Sequence, residues 1–550
     1  MKSYRTLPVV LFLLSITPWL FASSGVETSL EALWRRVDSA EKSGLPKTAL
    51  SILKTIERRA LQENRDQDLL KALVKEAIFA STLQEGKREA LRIGLLEKSL
   101  PRATKGVRPI LELLLARWYG EYVENHRWEL LSRTPVSPGK EATPSPSPEK
   151  SMETLDIPEF RSRILALFER VFQSKELLAH RFMKEYGGFF NLGTLPLEQH
   201  PTLWDFALCE AIRFHSSPEN EILHPGETAA LSPSDPAWSE GEQYMSLSFP
   251  GDSALQRSLS LWGELLSFLN GSGYGEAFAA ADLDRLEFLD SHTPQSQERE
   301  SLLLERIEGR EKRLSPSSPL LAMVAYRKAR LLARNNRLKE ALESARKGER
   351  TSTPSGWNLL CRSLAEELTF PSLSFQGERI LLPHRPQRIS LTVKNLAQVH
   401  ARIYRVEKTP FLKEPRLLEA ELEKAQALSL LKQEPLWAET LHLPEGDDLF
   451  VHTYPLELPP LESGIYRILL SKQPNFSFSS GNLVSQILFQ VTELSLILTP
   501  HTGDGLRVSL RNGGTGRPLD SGTVRLFRRE YAAGEWRQSS LEPRPVESDG

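Results

Sequence analysis

The chain has 550 residues, 40% hydrophobic and 25% charged, which is enough apolar material for several packed domains. Its 69 Lys and Arg nearly balance 71 Asp and Glu, a formal net charge of −2, so composition supplies no basic face and no reason to expect a nucleic-acid partner. There are two cysteines, Cys209 and Cys361, and no CxxC or HExxH, so no zinc-type cluster, metal or cofactor is expected, and spacing alone leaves open whether the two cysteines pair.

Residues 1–24 read as a signal peptide. Lys2 and Arg5 precede the apolar run Leu7–Ala22, interrupted by Pro18, and small residues at Ala22-Ser23-Ser24 suit cleavage. No second run approaches the length of a membrane span, and no cysteine stands near the cleavage region to carry a lipid. The expected product is exported and soluble: periplasmic, cell-surface or secreted, and not a lipoprotein.

Residues 25–133 have helical periodicity. Leu30, Leu33, Trp34 and Val37 form one stripe, and Gly44-Leu45-Pro46 is a turn whose proline opens the next helix. Ala49, Leu50, Leu53 and Ile56 form the second stripe, making a hairpin of the tetratricopeptide kind. Leu69, Leu70, Leu73 and Ala77 mark a third helix, and Ile110, Leu111, Leu114 and Trp118 another. Residues 134–153, rich in Pro and Ser, are expected to be a disordered linker. Helical pattern resumes over 154–370: Phe160 to Phe172, Leu203 to Phe214, Ala254 to Leu269, Ala277 to Leu289, and a charged, solvated helix over Leu302 to Leu314. Residues 215–249 read as irregular. Leu320 to Lys347 is a second tetratricopeptide-like hairpin turning at Arg334-Asn335-Asn336-Arg337. No fixed repeat period is visible, so the reading is an irregular α-solenoid.

The character of the chain changes between Ser355 and Arg405. Trp357, Leu360, Leu364 and Leu368 repeat as one buried helical stripe, and Pro371 ends it. Residues 371–492 then read as an antiparallel β-sandwich with strands at Ser374–Ile380, Arg388–Asn395, His400–Arg405, Glu439–Leu443, Phe450–Leu456, Gly464–Ser471 and Gln486–Thr492, and a helical insertion near 412–432. Residues 493–550 begin a second β-sandwich, incomplete at Gly550. Leu494, Leu496 and Leu498 alternate, as do Leu506, Val508 and Leu510.

No catalytic, cofactor, metal or thioester residue is assigned. Asn270–Gly275 (NGSGYG) resembles a phosphate loop, but a helix precedes it and no lysine follows, so it reads as a turn. Cys209 and His215, six positions apart, face different ways on a helix and lack an orienting group, so Cys209 reads as structural. Cys361, beside Leu359, Leu360 and Leu364, reads as core. Asp282-Leu283-Asp284 next to Arg285 reads as a solvated helix face, and Asp447-Asp448 as an acidic pair without a calcium pattern. Trp34, Trp118, Trp128 and Trp357 read as core aromatics.

Taken in order, several stretches resemble the N-terminal region of bacterial α2-macroglobulin-like proteins, the large exported type with a helical N-terminal part. They are Gly44-Leu45-Pro46-Lys47-Thr48-Ala49-Leu50 with Ile56, Ala60, Gln67 and Lys71-Ala72; Tyr122 with Asn125-His126-Arg127-Trp128 and Arg133-Thr134; Pro201-Thr202-Leu203-Trp204-Asp205-Phe206; and the run from Pro354 through Trp357 and Cys361 to Pro371-Ser372-Leu373, Lys394-Asn395-Leu396 and Arg402-Ile403-Tyr404-Arg405-Val406. Pro459-Pro460, Gly464-Ile465-Tyr466, Thr492-Glu493-Leu494 and Thr515-Gly516-Arg517-Pro518-Leu519 resemble macroglobulin-type sandwich modules. The resemblance implies a non-enzymatic endopeptidase inhibitor whose partners are proteases, trapped after they cut a bait segment. Cys209 is followed by Glu210-Ala211 and Cys361 by Arg362-Ser363, so neither begins a thioester motif, and the YRPG-type strand of the following module is missing. Bait, thioester and further modules are expected beyond Gly550. The alternative is a stand-alone exported scaffold or adhesin-like binding protein. Oligomeric state is not legible.

Overall fold

The computed structural model describes residues 29–83, 87–132, 152, 155–186, 189, 199–217, 230–353, 355–413, 424–443, 448–501, 505–532 and 535–546. The signal peptide and all of the 134–153 linker except Met152, which is buried, lie outside the described residues. The protein is α plus β and divides into two compact units, residues 1–299 and 300–550.

The first unit is helical: α1 (Leu30–Lys42), α2 (Pro46–Gln62), α3 (Asp66–Thr82), α4 (Arg88–Ser99), α5 (Arg108–Asn125), α6 (Arg127–Ser132), α7 (Ile157–Phe172), α8 (Lys175–Ala179), α9 (Leu203–His215), α10 (Gly241–Tyr244), α11 (Ala254–Gly271) and α12 (Gly275–His292). Ser29 caps α1 by accepting from the Ala32 N–H, and Gly44 takes the left-handed φ of +65° that lets the chain turn into Pro46 at the start of α2. The anticipated stripes meet as one cluster, with Leu30, Leu33 and Val37 against Ala49, Leu53 and Ile56; Ile52 joins it, whereas Trp34 and Leu50 are only partly buried at its edge. On α5 the apolar surface is not one stripe. Leu111, Leu115 and Tyr119 are buried, and so are Ile110, Leu113 and Trp118, leaving Leu114 half-buried, because α5 packs against α4, α7 and α9. Capping boxes start α7 (Asp156, Glu159), α9 (Thr202, Asp205) and α11 (Ser253, Gln256).

In the second unit α14 (Leu320–Arg334) and α15 (Leu338–Glu349) form the expected hairpin, turning at Asn336 with φ +59°. Helix α16 (Gly356–Thr369) packs on both. Its buried face is Cys361, Ala365 and Leu368, whereas Leu359 and Leu360 are exposed, which corrects the expected stripe. A 100° step per residue turns Leu360 away once Cys361 faces α14. Helix α13 (Gln297–Arg313) is not wholly solvated either. Leu303 and Ile307 are buried, and Glu308 and Glu311 form ion pairs with Lys328 and Lys347 of the hairpin.

The strands then follow: β1 (Ser372–Gln376), β2 (Ile380–Leu381), β3 (Gln387–Lys394), β4 (Gln398–Val406), β5 (Trp437–His442), β6 (Val451–Leu458), β7 (Gly464–Ser471) and β8 (Val484–Val491). One sheet has the order β1-β3-β6 and the other β2-β8-β7-β4-β5. Their facing residues share one core, with Ile389, Leu391 and Val393 from one sheet against Val399, Ala401, Ile403, Tyr466, Ile468 and Leu470 from the other. The first expected strand is split. Gly377 lies where a Cβ would come within 2.6 Å of Ile389, and beyond it the chain crosses to the second sheet as β2. There it pairs parallel to β8, so the sandwich is not purely antiparallel. At the opposite corner the Tyr466 hydroxyl donates to the Glu462 carbonyl four residues upstream, 2.9 Å away, in the manner of a tyrosine corner.

The helical insertion is α17 (Thr409–Lys413) and α18 (Lys424–Leu430), with residues 414–423 outside the described residues. Phe411 and Leu430 cover the outer face of the five-stranded sheet, which is why every residue of β7 is buried.

The last strands form three ladders: β9 (Leu494–His501) with β10 (Gly505–Asn512), β11 (Thr523–Val524) with β14 (Arg544–Pro545), and β12 (Phe527–Ala532) with β13 (Glu535–Ser540). The alternation of Leu494, Leu496 and Leu498 is present but its expected burial is not, since Leu498 is 62% exposed. Leu510 is buried beside Gly522, where a Cβ would crowd it at 2.8 Å.

Candidate functional site

Cys209 sits on α9, and its position follows from how that helix begins. Thr202 is the N-cap and Asp205 the third helical residue. The Asp205 carboxylate accepts from the Thr202 N–H at 2.6 Å and from the Thr202 hydroxyl at 2.7 Å. His200 Nδ1 lies 3.3 Å from Asp205 Oδ2, and the imidazole also hydrogen-bonds the Cys209 thiol. Cys209 follows Asp205 by four positions, one helical turn, so both face His200. His215, the histidine weighed in the sequence, lies at the end of α9 with its ring edge-on to Phe214. The signal for the true partner was the capping box Thr202-x-x-Asp205 with cysteine one turn beyond.

The chain Cys209–His200–Asp205 has the residue types of a thiol nucleophile, a base and an orienting carboxylate. Its electrostatics oppose that role. Burial pushes the Cys209 thiol up, and the hydrogen bond from His200 does not offset it, so the sulfur stays protonated. Burial works to lower the His200 pKa, but the hydrogen bond to Asp205 opposes it and holds the imidazole above its ordinary range. A protonated His200 against buried Asp205 is an ion pair closing the start of α9, and it is not a base.

Cys361 is fully buried, its thiol donating to the Ala322 carbonyl at 3.3 Å, and burial pushes its pKa up to about 12. Asn270–Gly275 runs from the end of α11 to the first residue of α12, with the turn itself at 272–274 and Gly273 at φ +74°. The Asp282–Arg285 pair corrects the solvated-face reading. Arg285 is 0% exposed, its guanidinium donating to Asp282 Oδ1 at 2.6 Å and to the carbonyls of Ala237 (2.6 Å) and Ser239 (2.9 Å), over the ring of Tyr244. This arginine fixes the segment 236–244, part of the stretch read as irregular, with Trp238 and Tyr244 buried in it. Asp448 pairs with His452 at 2.8 Å, whereas Asp447 lies outside the described residues. Trp118 is core, Trp34 and Trp357 are half-buried, and Trp128 is 82% exposed on the short helix α6, which corrects its core reading. Among the described residues no three His, Cys, Asp or Glu side chains are grouped to hold a metal, and no helix is long and apolar enough to cross a membrane.

The residues of the helix-to-sheet junction do converge. Asn395, between β3 and β4, adopts φ +53° and donates from Nδ2 to the carbonyls of Leu368 (2.9 Å) and Phe370 (3.3 Å), while Lys394 Nζ donates to the Glu367 carbonyl at 3.0 Å. These are last-turn carbonyls of α16, which the helix itself leaves without donors. One strand turn of the sandwich therefore caps the helix that precedes it.

No protein-family profile and no curated protein matches the chain. Among solved structures it is similar to native α2-macroglobulin from Escherichia coli spanning domains MG0-NIE-MG1, at 17% identity and a TM-score of 0.22. The match covers 32% of this chain and 58% of that one, so the chain spans rather more than half the length of the structure it matches.

Proposed function

We propose that this chain is the N-terminal region of an exported α2-macroglobulin-like endopeptidase inhibitor and that it works by holding modules in place, with no chemistry of its own. In this reading the helical part is an irregular solenoid with tetratricopeptide-like hairpins, serving as spacer or docking module. The sandwich is the first macroglobulin-like module, and residues 493–550 open the next.

The observation that carries the reading is the capped junction. The stretches with the densest sequence resemblance, around Trp357, Cys361 and Lys394-Asn395-Leu396, are those that join α16 to the sandwich through Asn395 and Lys394. A trap that rearranges when cut needs modules that transmit force to each other, and a side-chain clamp between helix and sheet supplies such a joint.

The test is to incubate the full-length gene product with trypsin and follow it by native gel. A compacted species retaining the protease is expected. Simple degradation with no such species would refute the trapping role and leave the scaffold reading. Export is tested separately, by fractionation and N-terminal sequencing, with cleavage expected after Ala22 or Ser24.

A further inference from the structure

β2 is the shortest strand of the first sandwich, and it lies where that sandwich leads into the strands that follow. It pairs with β8 in parallel over two residues, Ile380 with Gln490 and Leu381 with Val491. The Arg379 carbonyl accepts from the Gln490 N–H at 2.7 Å, and the Leu381 carbonyl from the Thr492 N–H at 2.8 Å. Leu381 is buried in the sandwich core, whereas Ile380 is exposed. Both ends of the segment are turning points. Gly377 precedes it, crowded against Ile389. His384 follows it in the left-handed region at φ +58°, its N–H donating to the Leu461 carbonyl at 2.9 Å.

Two residues, Thr492 and Glu493, separate β8 from β9. Segment 379–384 grips this connector from the sandwich side, because Leu381 accepts from Thr492 and Leu382 lies beside Gly513, just after β10. A Cβ at Gly513 would sit 3.5 Å from Leu382 Cδ2. The hairpin grips it from the other side, the Gly513 N–H donating to the Glu493 carbonyl at 2.6 Å. The apolar face of the hairpin is not buried on the sandwich, since Leu494, Leu496 and Leu498 are all exposed. The attachments of β8 are unequal. β7 holds it along eight antiparallel residue pairs and β2 along two parallel ones, the weaker kind per residue. Lifting β2 therefore takes one leucine from the core and leaves the main ladder intact, while Thr492 loses its acceptor and Gly513 its neighbour.

We propose that residues 379–384 form a detachable strap that fixes the β9–β10 hairpin on the first sandwich, and that its release frees the hairpin to swing about Thr492-Glu493. The inference does not depend on the inhibitor reading, because it concerns only how these two pieces of chain are joined. It is tested on the full chain carrying Cys209→Ser, with spin labels on Ser390→Cys in β3 and Thr499→Cys in β9, both exposed positions, and Cys361 left buried. Pulsed electron spin resonance measures the distance between the labels, and hydrogen exchange reads the Thr492 amide. The parent should give one narrow distance. Leu381→Ala should broaden it and speed Thr492 exchange about tenfold or more, with exchange along β4 and β7 unchanged. Leu382→Ala, which trims the contact with Gly513 and keeps the buried anchor, should broaden the distance and leave Thr492 as it was. Ile380→Ala, on the exposed side of the strap, should do neither. If Leu381→Ala does not fold, Leu382→Ala against Ile380→Ala carries the comparison. A broad distance in the parent, a narrow one in both leucine variants, or faster exchange spread evenly over the sandwich in Leu381→Ala would overturn the proposal.

Discussion

The Cα of Gly348 on α15 lies directly against Cys361 Sγ on α16. A Cβ at Gly348 would fall inside the sulfur's contact radius, 2.8 Å from Ala325 Cβ and 3.4 Å from the Ala322 carbonyl oxygen. The same sulfur donates to that carbonyl, so three helices meet at one point with no space for a methyl group. Gly348→Ala should therefore destabilise the protein by about 1–3 kcal/mol through overpacking, despite the better helix propensity of alanine. Chemical denaturation measures this. Cys361→Ala should recover part of the loss in the double variant, because it removes the closest atom but leaves Ala325 in place.

That contact shows what kind of information the sequence carried. The periodicity of Leu320 to Lys347 located both helices, because burial of one face imposes the spacing. The strands of the sandwich were legible for the same reason, with Ile389, Leu391 and Val393 alternating as a half-buried strand must. What could not be read was direction and partner. Nothing local says that Cys361 and not Leu360 faces α14, since that depends on how closely Gly348 lets the helices approach. Arg285 looked solvated because a charged residue usually is, and its acceptors at Ala237 and Ser239 lie 48 and 46 residues away. His200 was missed as the partner of Cys209 because it precedes the helix, outside any helical spacing rule. Arg467 looked like an ordinary strand position, and its burial depends on Phe411 and Leu430 covering the outer face of its sheet.

Arg285 gives the second prediction. Its guanidinium is fully buried and satisfies two loop carbonyls as well as Asp282. Arg285→Met removes the buried charge and its bonds to the Asp282 carboxylate and both carbonyls, at a cost of about 3–5 kcal/mol. Fluorescence of Trp238, buried in the segment that Arg285 holds, should lose its blue-shifted emission at a lower denaturant concentration in the variant. Unchanged midpoints would mean that segment 236–244 is held by other contacts.

The His200–Asp205 pair makes stability depend on pH. The folded-state pKa of His200 is raised, burial acting to lower it and the bond to Asp205 prevailing, against an unfolded value of about 6.5. A group with a raised folded pKa contributes in full below the unfolded value, and the contribution is lost as pH rises through the folded one. His200→Gln should lower the unfolding temperature most near pH 6, and the gap to the parent should narrow steadily up to pH 10. A gap independent of pH would show that His200 is held there as a neutral ring.

Asn395 is the residue on which the junction turns, and two substitutions separate its two contributions. The position has φ +53°, which a glycine adopts freely and an alanine adopts only under strain. Its side chain satisfies the carbonyls of Leu368 and Phe370 at the end of α16. Asn395→Gly keeps the backbone and loses the cap, costing about 1 kcal/mol or somewhat more for two exchanged hydrogen bonds. Asn395→Ala loses the cap and adds about 1–2 kcal/mol of left-handed strain. Both should speed amide hydrogen exchange in the last turn of α16, where Leu368 faces inward, before global stability falls. If the clamp transmits rearrangement between modules, as the inhibitor reading requires, Asn395→Gly in the full-length product should fold normally yet yield less of the protease-bound species on the native gel. Trapping that survives the loss of the clamp undiminished would locate the moving joint elsewhere in the chain.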